Sequence, residues 1–239
     1  MEEAPQYLKT IFRRSLMEED KWGQLAANGA YKKFNDLKFY VFVMKDLVDS
    51  QERAEIDALE VETSKMDEDE KNDFLVWHYP FYWDQTVRGL FCASTVITIY
   101  SFWEITLTGI CKDIDFILNK NDFDKFKQKQ KQSSSLKICI DYCNQHGGFE
   151  KIAPSLWNDI DNIREIRNTL VHSGLINSSN KHNKIIDLIS NCHDLRELHG
   201  FIKIENGYLL HCLECTDKFL SYLSDEMSKL CKRQLELES

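Results

Sequence analysis

Residues that interrupt regular structure are scarce in this chain, which has only three prolines and nine glycines among its 239 residues. Between them run long stretches rich in Leu, Ile, Lys, Glu and Asp. So few structure-breaking residues are typical of helices rather than of the strands and tight turns of a sandwich or barrel. With 43% hydrophobic residues, the chain can also bury a full core. We therefore predict an all-α fold.

Charge and cysteine content narrow the class of protein. The formal net charge of −9 argues against a general nucleic-acid coat, because indiscriminate phosphate binding needs clustered Lys and Arg. This net charge does not exclude a small basic site on the protein. The N-terminus has no charged, apolar leader with small residues, so we predict a cytoplasmic protein whose eight cysteines are reduced and form no disulfide framework.

One apolar stretch has the length of a membrane span. Residues 89–111 carry a single charged residue, Glu104, and about 20 apolar residues can cross a bilayer. Serine and threonine recur through this stretch, however, and a lipid-facing Glu at mid-span costs roughly 2.5 kcal/mol or more. We therefore predict a core helix and no contact with a membrane.

Hydrophobic periodicity predicts a long helix near the start of the chain. From Tyr31 onward, apolar residues recur at alternating steps of three and four, which aligns them on one face of a helix extending towards Val61. An acidic linker at 64–73 follows. We assign residues 1–80 to an N-terminal helical extension and residues 81–235 to the main helical domain. The periodic residues are Phe34, Leu37, Val41, Met44 and Val48.

The long apolar stretch predicts one further helix, and capping signals predict two more. Ser133–Ser135 form an N-cap region, and Gly147-Gly148 supply a stop. Pro154 is a start signal and Gly174 a stop signal for the helix that carries the candidate chemistry. The predicted spans are about Asp84 to Leu118, Ser133 to Cys143, and Pro154 to Gly174.

The last part of the chain combines helices with a small hairpin. Residues 201–210 contain Asn206-Gly207, a dipeptide that favours two-residue hairpin turns. We predict a β-hairpin turned at that dipeptide, preceded by a helix at 184–198 and followed by an amphipathic helix at 211–235.

The segment from Arg167 to His172 carries the residues that point to chemistry. On a helix, Glu165, Asn168 and His172 lie three and four positions apart and share one face. Arg167 lies beside an apolar stripe, where a guanidinium is costly to desolvate without an anion or a partner chain. Its position indicates either a buried ion pair or a site at an interface.

Arg167-Asn168, followed by His172 with four residues between the Arg and the His, resembles the signature of the HEPN superfamily. That resemblance, which covers roughly residues 84–231, implies a helical bundle that pairs to bring two motifs together in a cleft. Many members cut RNA without metal in defence, toxin–antitoxin or RNA-processing settings. The resemblance also implies that Glu104, on the upstream apolar helix, faces the motif. Gly174 stands where one group of toxins in the family has Tyr, so that group is a poorer match.

The residue types suit metal-free RNA cleavage. A histidine, with an unperturbed pKa of about 6.5, can accept the 2′-hydroxyl proton or donate one to the leaving 5′-oxygen, and we assign this role to His172. Arg167 is the clamp for the charge that grows on the phosphoryl oxygens. Asn168 orients His172 or binds the phosphate, and Glu104 holds Arg167.

Helical geometry limits how these side chains meet. Arg167 and His172 lie five positions apart, so their directions diverge by about 140° around the axis. Either a dimeric cleft or fraying of the helix before Gly174 would bring them together.

Other interpretations stay open beside the catalytic one. Arg167 and His172 fit an ion pair and a histidine that complements a helix end. The cysteine pairs Cys212/Cys215, beside His211, and Cys139/Cys143 suggest half zinc sites but also fit simple packing. The aromatic run 77–83 can stack bases or pack, and the lysines of 125–131 can steer RNA or form a solvated loop.

The resemblance implies a metal-independent endoribonuclease, with no cofactor, that leaves a 2′,3′-cyclic phosphate, and the residue types fit that chemistry. The expected partners are RNA, a second copy of the chain, and an antitoxin or regulatory protein in antiviral defence or a toxin–antitoxin system. The alternative is a non-catalytic helical module that dimerises or binds nucleotide.

Overall fold

The computed structural model describes residues 21–78, 86–130, 133–172, 182–198 and 200–238. In that part of the chain, eight helices accompany one two-stranded sheet. The predicted all-α class, with a long N-terminal helix, is therefore confirmed. The elements are α1 Lys21–Thr63, α2 Glu68–His78, α3 Arg88–Ile117, α4 Phe123–Lys129, α5 Ser135–His146, α6 Pro154–His172, α7 His182–Asn191, β1 Leu195–Leu198, β2 Phe201–Ile204 and α8 Asn206–Glu238.

The chain divides into two compact units, each assembled from separate segments. Unit 1 comprises Met1–Asn35, Tyr100–Ile160 and Glu214–Ser239, and unit 2 comprises Asp36–Ile99 and Asp161–Leu213. Helices α1, α3, α6 and α8 each contribute residues to both units. The boundary near residue 80 stays a prediction.

Helix α3 is long and apolar enough to cross a membrane, the one helix of the described residues that passes this test. Forty-four per cent of its most apolar window is buried inside the structure. Val96, Ile99, Trp103 and Leu107 are fully buried along it, as in the core helix of a globular domain. The predicted core helix is thereby supported, and the cytoplasmic location stays a prediction.

A buried carboxylate organises the core of unit 1. Asp115, near the end of α3, accepts hydrogen bonds from the backbone N–H groups of Asp122 (3.3 Å) and Phe123 (3.1 Å) and from the Tyr142 hydroxyl. It therefore satisfies free donors at the start of α4, where the helix dipole also favours a negative charge. The ring of Phe123 meets Tyr142 edge to face at 5.1 Å.

The predicted caps of α5 are confirmed. The Ser134 side chain accepts a hydrogen bond from the Lys137 backbone N–H at 3.3 Å, and the helix stops at Gly147. A side chain at Gly147 would clash, because an ideal Cβ would lie 2.8 Å from the Cys143 carbonyl oxygen. Arg233 of α8 donates to the Gly147 carbonyl at 2.7 Å, so a cation closes this helix end.

In unit 2, the inward face of α1 packs through Val41 and Val48, which are buried. Beside them lies the buried Arg88 of α3. Its guanidinium donates to Asp49 at 2.7 Å and also to Glu52. These two carboxylates of α1 offset the desolvation cost of burying the positive charge.

A hairpin is present, but its predicted position was wrong. Residues 195–198, predicted as the end of the helix at 184–198, form its first strand, and residues 206–210, predicted as its turn and second strand, are helical. Strand β1 pairs antiparallel with β2, with Leu195 opposite Ile204, and the connection runs through Gly200 at a φ of +82°. Asn206 and Gly207 instead begin α8, five residues before the predicted start. A Cβ at Gly207 would overlap the Asp194 carboxylate, so this glycine lets a negative charge approach the N-terminal turn of α8.

Candidate functional site

The C-terminal half of α6, in unit 2, carries the candidate motif. Ile163 and Ile166 are fully buried, and their spacing fixes which face of the helix turns inward. Arg167 and Asn168 flank this apolar stripe and are half-buried, whereas His172, at the end of the helix, is exposed.

The structure brings Arg167 and Asn168 together. Arg167 Nη1 donates to Asn168 Oδ1 at 3.1 Å. The side-chain carbonyl of Asn168 therefore contacts the guanidinium, and its expected roles in orienting His172 or binding the phosphate stay predictions. Adjacent residues on a helix point about 100° apart, so the long Arg side chain must bend across to make this bond.

Arg167 and His172 diverge as helical geometry predicts. Helix α6 runs unbroken to His172, so both residues have helical backbone and lie about 140° apart around the axis. Fraying therefore does not begin before His172. The expected stop at Gly174 falls outside the described residues. Both predicted ways of bringing the side chains together, a second copy of the chain and fraying before Gly174, stay predictions.

A network of four charges lies on α6 and α7, one turn before the motif. Arg164 donates to Asp161 at 2.9 Å and also pairs with Glu165, while Lys184 of α7 pairs with Asp161 and lies 4.0 Å from Glu165. Burial desolvates Asp161, but Lys184 and Arg164 hold its pKa below the usual range. Both carboxylates are paired with cations, so Glu165, expected to share a face with His172, is part of an ion-pair network.

This network was missed from the sequence, although part of it was visible there. Asp161 and Arg164 lie three positions apart, which is a standard ion-pair spacing on a helix. Lys184 belongs to a different helix, so no local pattern links it to Asp161.

Glu104 belongs to unit 1, whereas the three other candidate residues belong to unit 2. It is half-buried on α3. The pKa of the Cys139 thiol is lowered chiefly by its hydrogen bond with Cys111, and the negative charge of Glu104 opposes that shift. One helical turn further, Thr108 Oγ1 lies 3.9 Å from Cys139 Sγ. The role of Glu104 as a partner of Arg167 stays a prediction.

The cysteines pack as small apolar groups. All eight are free thiols, and all but the half-buried Cys192 are buried. Cys111 is the centre of one cluster: its Sγ lies 3.9 Å from Cys143 Sγ and donates to the Cys139 carbonyl at 3.5 Å. Among the described residues, no group of three or more His, Cys, Asp or Glu side chains can hold a metal ion.

Three of the four lysines of the 125–131 run lie on a short helix, and Lys131 falls outside the described residues. In α4, Lys125, Lys127 and Lys129 are exposed, while Phe126 packs against Tyr142 with ring centres 5.2 Å apart. A cavity of about 450 Å³ opens beside Lys127. It is lined by Asp124, Lys127, Gln128, Ser133, Ser135 and Ile138. In the aromatic run, residues 79–83 fall outside the described residues, and α2 ends at His78.

No protein-family model, no curated protein and no solved structure matches this chain. The HEPN assignment accordingly remains a resemblance carried by Arg167, Asn168 and His172. What the structure adds is their placement on one continuous helix, with the Arg held by the Asn and the His exposed at the end.

Proposed function

We propose that this protein is a metal-independent endoribonuclease whose active site combines Arg167 of one copy with His172 of another. The observation that carries the proposal is the end of α6, where Asn168 holds a half-buried Arg167 and the helix presents an exposed His172. An oriented guanidinium and an accessible imidazole are the two groups that cleavage by the 2′-hydroxyl requires.

The reaction is an intramolecular transfer within the RNA. The 2′-oxygen attacks the adjacent phosphorus, the bond from phosphorus to the 5′-oxygen breaks, and the products are a 2′,3′-cyclic phosphate and a 5′-hydroxyl. One proton leaves the 2′-hydroxyl and one reaches the 5′-oxygen. His172 transfers one of these protons and solvent water the other, since one imidazole can act as acceptor when neutral and as donor when protonated.

Arg167 stabilises the charge of the transition state. Its guanidinium is always protonated and presents a planar fork that matches two phosphoryl oxygens. Because Asn168 already accepts from Nη1, the guanidinium is oriented before RNA binds, which reduces the reorganisation required during reaction.

Two copies solve the geometric problem of the single helix. The divergence of about 140° keeps Arg167 and His172 of one chain from facing the same phosphate. An isologous pair places the same surface of both chains at one interface, so two α6 ends can each supply one half of two equivalent sites. The resemblance to a paired, RNA-cutting family supports the same arrangement, and supports a defence or toxin–antitoxin setting in the cytoplasm with an antitoxin or regulator as partner.

A non-catalytic interaction module is the second candidate. It is favoured by the outward face of α1, where Phe39 is 71% exposed among other large apolar residues. Surfaces of this kind mark sites of protein association. In this case His172 would be a surface residue that complements the C-terminal end of α6.

The test is cleavage of a mixed RNA pool, with chelator present, by wild type, Arg167→Ala and His172→Ala. The matched controls are Arg196→Ala and His193→Ala, because these side chains are 67% and 88% exposed and lie outside α6. We expect cyclic-phosphate ends from wild type and both controls, and none from the two motif variants. If folded, dimeric wild type cuts nothing, the interaction module becomes the better account.

A further inference from the structure

The outward face of α1 in unit 2 carries a cluster of exposed apolar side chains, which we call the α1 patch. On the opposite face, Val41 and Val48 are buried and anchor the helix. A helix that is apolar on both faces is expected where a partner covers the outer one. The α1 patch consists of Phe39, Tyr40, Phe42, Val43 and Leu47.

The size of the α1 patch fits a specific protein interface. Large aromatic side chains bury about 150–250 Å² each when covered, so the five residues at their observed exposure leave roughly 500 Å² accessible. Two such patches amount to about 1,000 Å², which is close to the apolar share of an interface of standard size. One patch already lies near the upper end of what a typical monomer exposes.

The order of residues in the α1 patch is self-complementary about Val43. When two copies of a helix cross antiparallel at one residue, positions equidistant from that residue meet across a two-fold axis. Phe39 then meets Leu47 of the second copy, four positions away on either side. Tyr40 meets Asp46, three positions away, so its hydroxyl can donate to a carboxylate whose side chain is 83% exposed.

The next pair outward repeats this pattern. Asp36 and Ser50 each lie seven positions from Val43, and both are exposed. The Ser50 hydroxyl donates to the Leu47 carbonyl at 2.9 Å within its own helix. At this crossing it can turn to donate to the Asp36 carboxylate of the second copy instead. Apolar side chains thus meet at the centre of the crossing and polar pairs flank them, as in the core and rim of an interface.

We propose that the α1 patch is the surface through which two copies of this chain associate, antiparallel, with Val43 at the two-fold axis. The inference rests on the proposed function in one respect, namely that the active site needs a second copy. The residues of the α1 patch supply the reason to choose a second copy over an unrelated protein, because they pair with themselves.

The first test is the association state of the full chain by sedimentation equilibrium. Val43→Asp puts two carboxylates against each other at the axis, and we expect the dissociation constant to rise at least about 100-fold. The matched control is Val76→Asp, on α2, where the side chain is 76% exposed and lies outside the patch. It should associate as wild type does, and circular dichroism checks that both variants fold.

A cross-link tests the geometry independently of affinity. A cysteine at a two-fold axis faces its own counterpart, so Val43→Cys should form an intermolecular disulfide on mild oxidation. Val76→Cys should not. The native thiols give a low background, because Cys192 alone among the eight is not fully buried.

These outcomes separate the inference from the proposed function. Dimeric wild type, dissociated by Val43→Asp, supports the α1 patch even if no RNA is cut, and in that case only the ribonuclease fails. Monomeric wild type, or a Val43→Asp variant that dimerises like wild type, overturns the inference even if RNA is cut. Association with a different protein through this face, by a chain that stays monomeric alone, overturns it as well.

Discussion

Buried carboxylates in the interior of unit 1 are hydrogen-bonded by several donors, whereas His172 at the end of α6 in unit 2 is exposed to solvent. In unit 1, the buried Glu226 accepts from the Glu150 backbone N–H and from Lys229, both at 2.7 Å. Asp115 is similarly surrounded by donors. At the end of α6, His172 is exposed instead. Carboxylates that are buried and hydrogen-bonded contribute to the stability of the fold. An exposed side chain such as His172 can instead contact a substrate.

Substitution of His172 should give the largest difference between the effect on RNA cleavage and the effect on stability. We expect His172→Ala to lower the rate of RNA cleavage by about 1,000-fold or more, since it removes the proton-transfer group. Its free energy of unfolding should stay within about 0.5 kcal/mol of wild type, because the side chain is exposed. Single-turnover cleavage and urea unfolding measure the two effects. A large loss of stability would place His172 with the structural groups.

Asp115 should show the reverse behaviour. Asp115→Ala leaves two backbone N–H groups and the Tyr142 hydroxyl without their acceptor, so we expect a loss of about 3 kcal/mol in the free energy of unfolding. The exposed Asp124 is the control, and its Ala variant should change stability by less than about 0.5 kcal/mol. Equal effects of the two substitutions on urea unfolding would contradict the assignment of Asp115 as an anchor of α4.

Two glycines of unit 1 test how tightly its interior is packed. Gly147→Ala should cost about 2 kcal/mol, because the added methyl would meet Ile114 and a backbone oxygen within 3 Å. Gly109, inside α3, has nothing within 4 Å of an added Cβ. Gly109→Ala should therefore stabilise the protein by about 0.5–1 kcal/mol. Thermal unfolding measures both changes in the free energy of unfolding. A stabilising Gly147→Ala or a destabilising Gly109→Ala would contradict this account of the packing.

A further small effect depends on pH. Burial raises the pKa of Asp113 to about 6, so the folded state holds a proton that the unfolded state has released. The carboxyl therefore lowers stability as pH rises from about 4 to about 6. Since Asp113 is only partly buried, solvent screening should limit the cost to about 1 kcal/mol. Asp113→Asn should raise the free energy of unfolding by that amount at pH 7.5. The gain should vanish below pH 4, and a pH-independent gain would assign it to another cause.

Local patterns predicted the helices well, because caps and periodicity act within a few residues. Ser134 and Gly147 bound α5 where the sequence indicated. The hairpin turn was misplaced because Asn206-Gly207 fits a helix start as readily as a turn. The Asp194 carboxylate that approaches Gly207 lies thirteen residues before it in the chain. The bond from Arg167 to Asn168 and the pairing of Lys184 with Asp161 depend on rotamers and on packing between helices. Neither can be read from spacing alone.

The most direct test of the composite site is to mix Arg167→Ala with His172→Ala, each inactive alone, after exchange of subunits. If Arg167 and His172 act from different copies, half of the exchanged dimers are mixed and each holds one intact site of two. Cleavage should then return to about a quarter of the wild-type rate. No recovery from a mixture shown to contain mixed dimers would contradict a site shared between two copies.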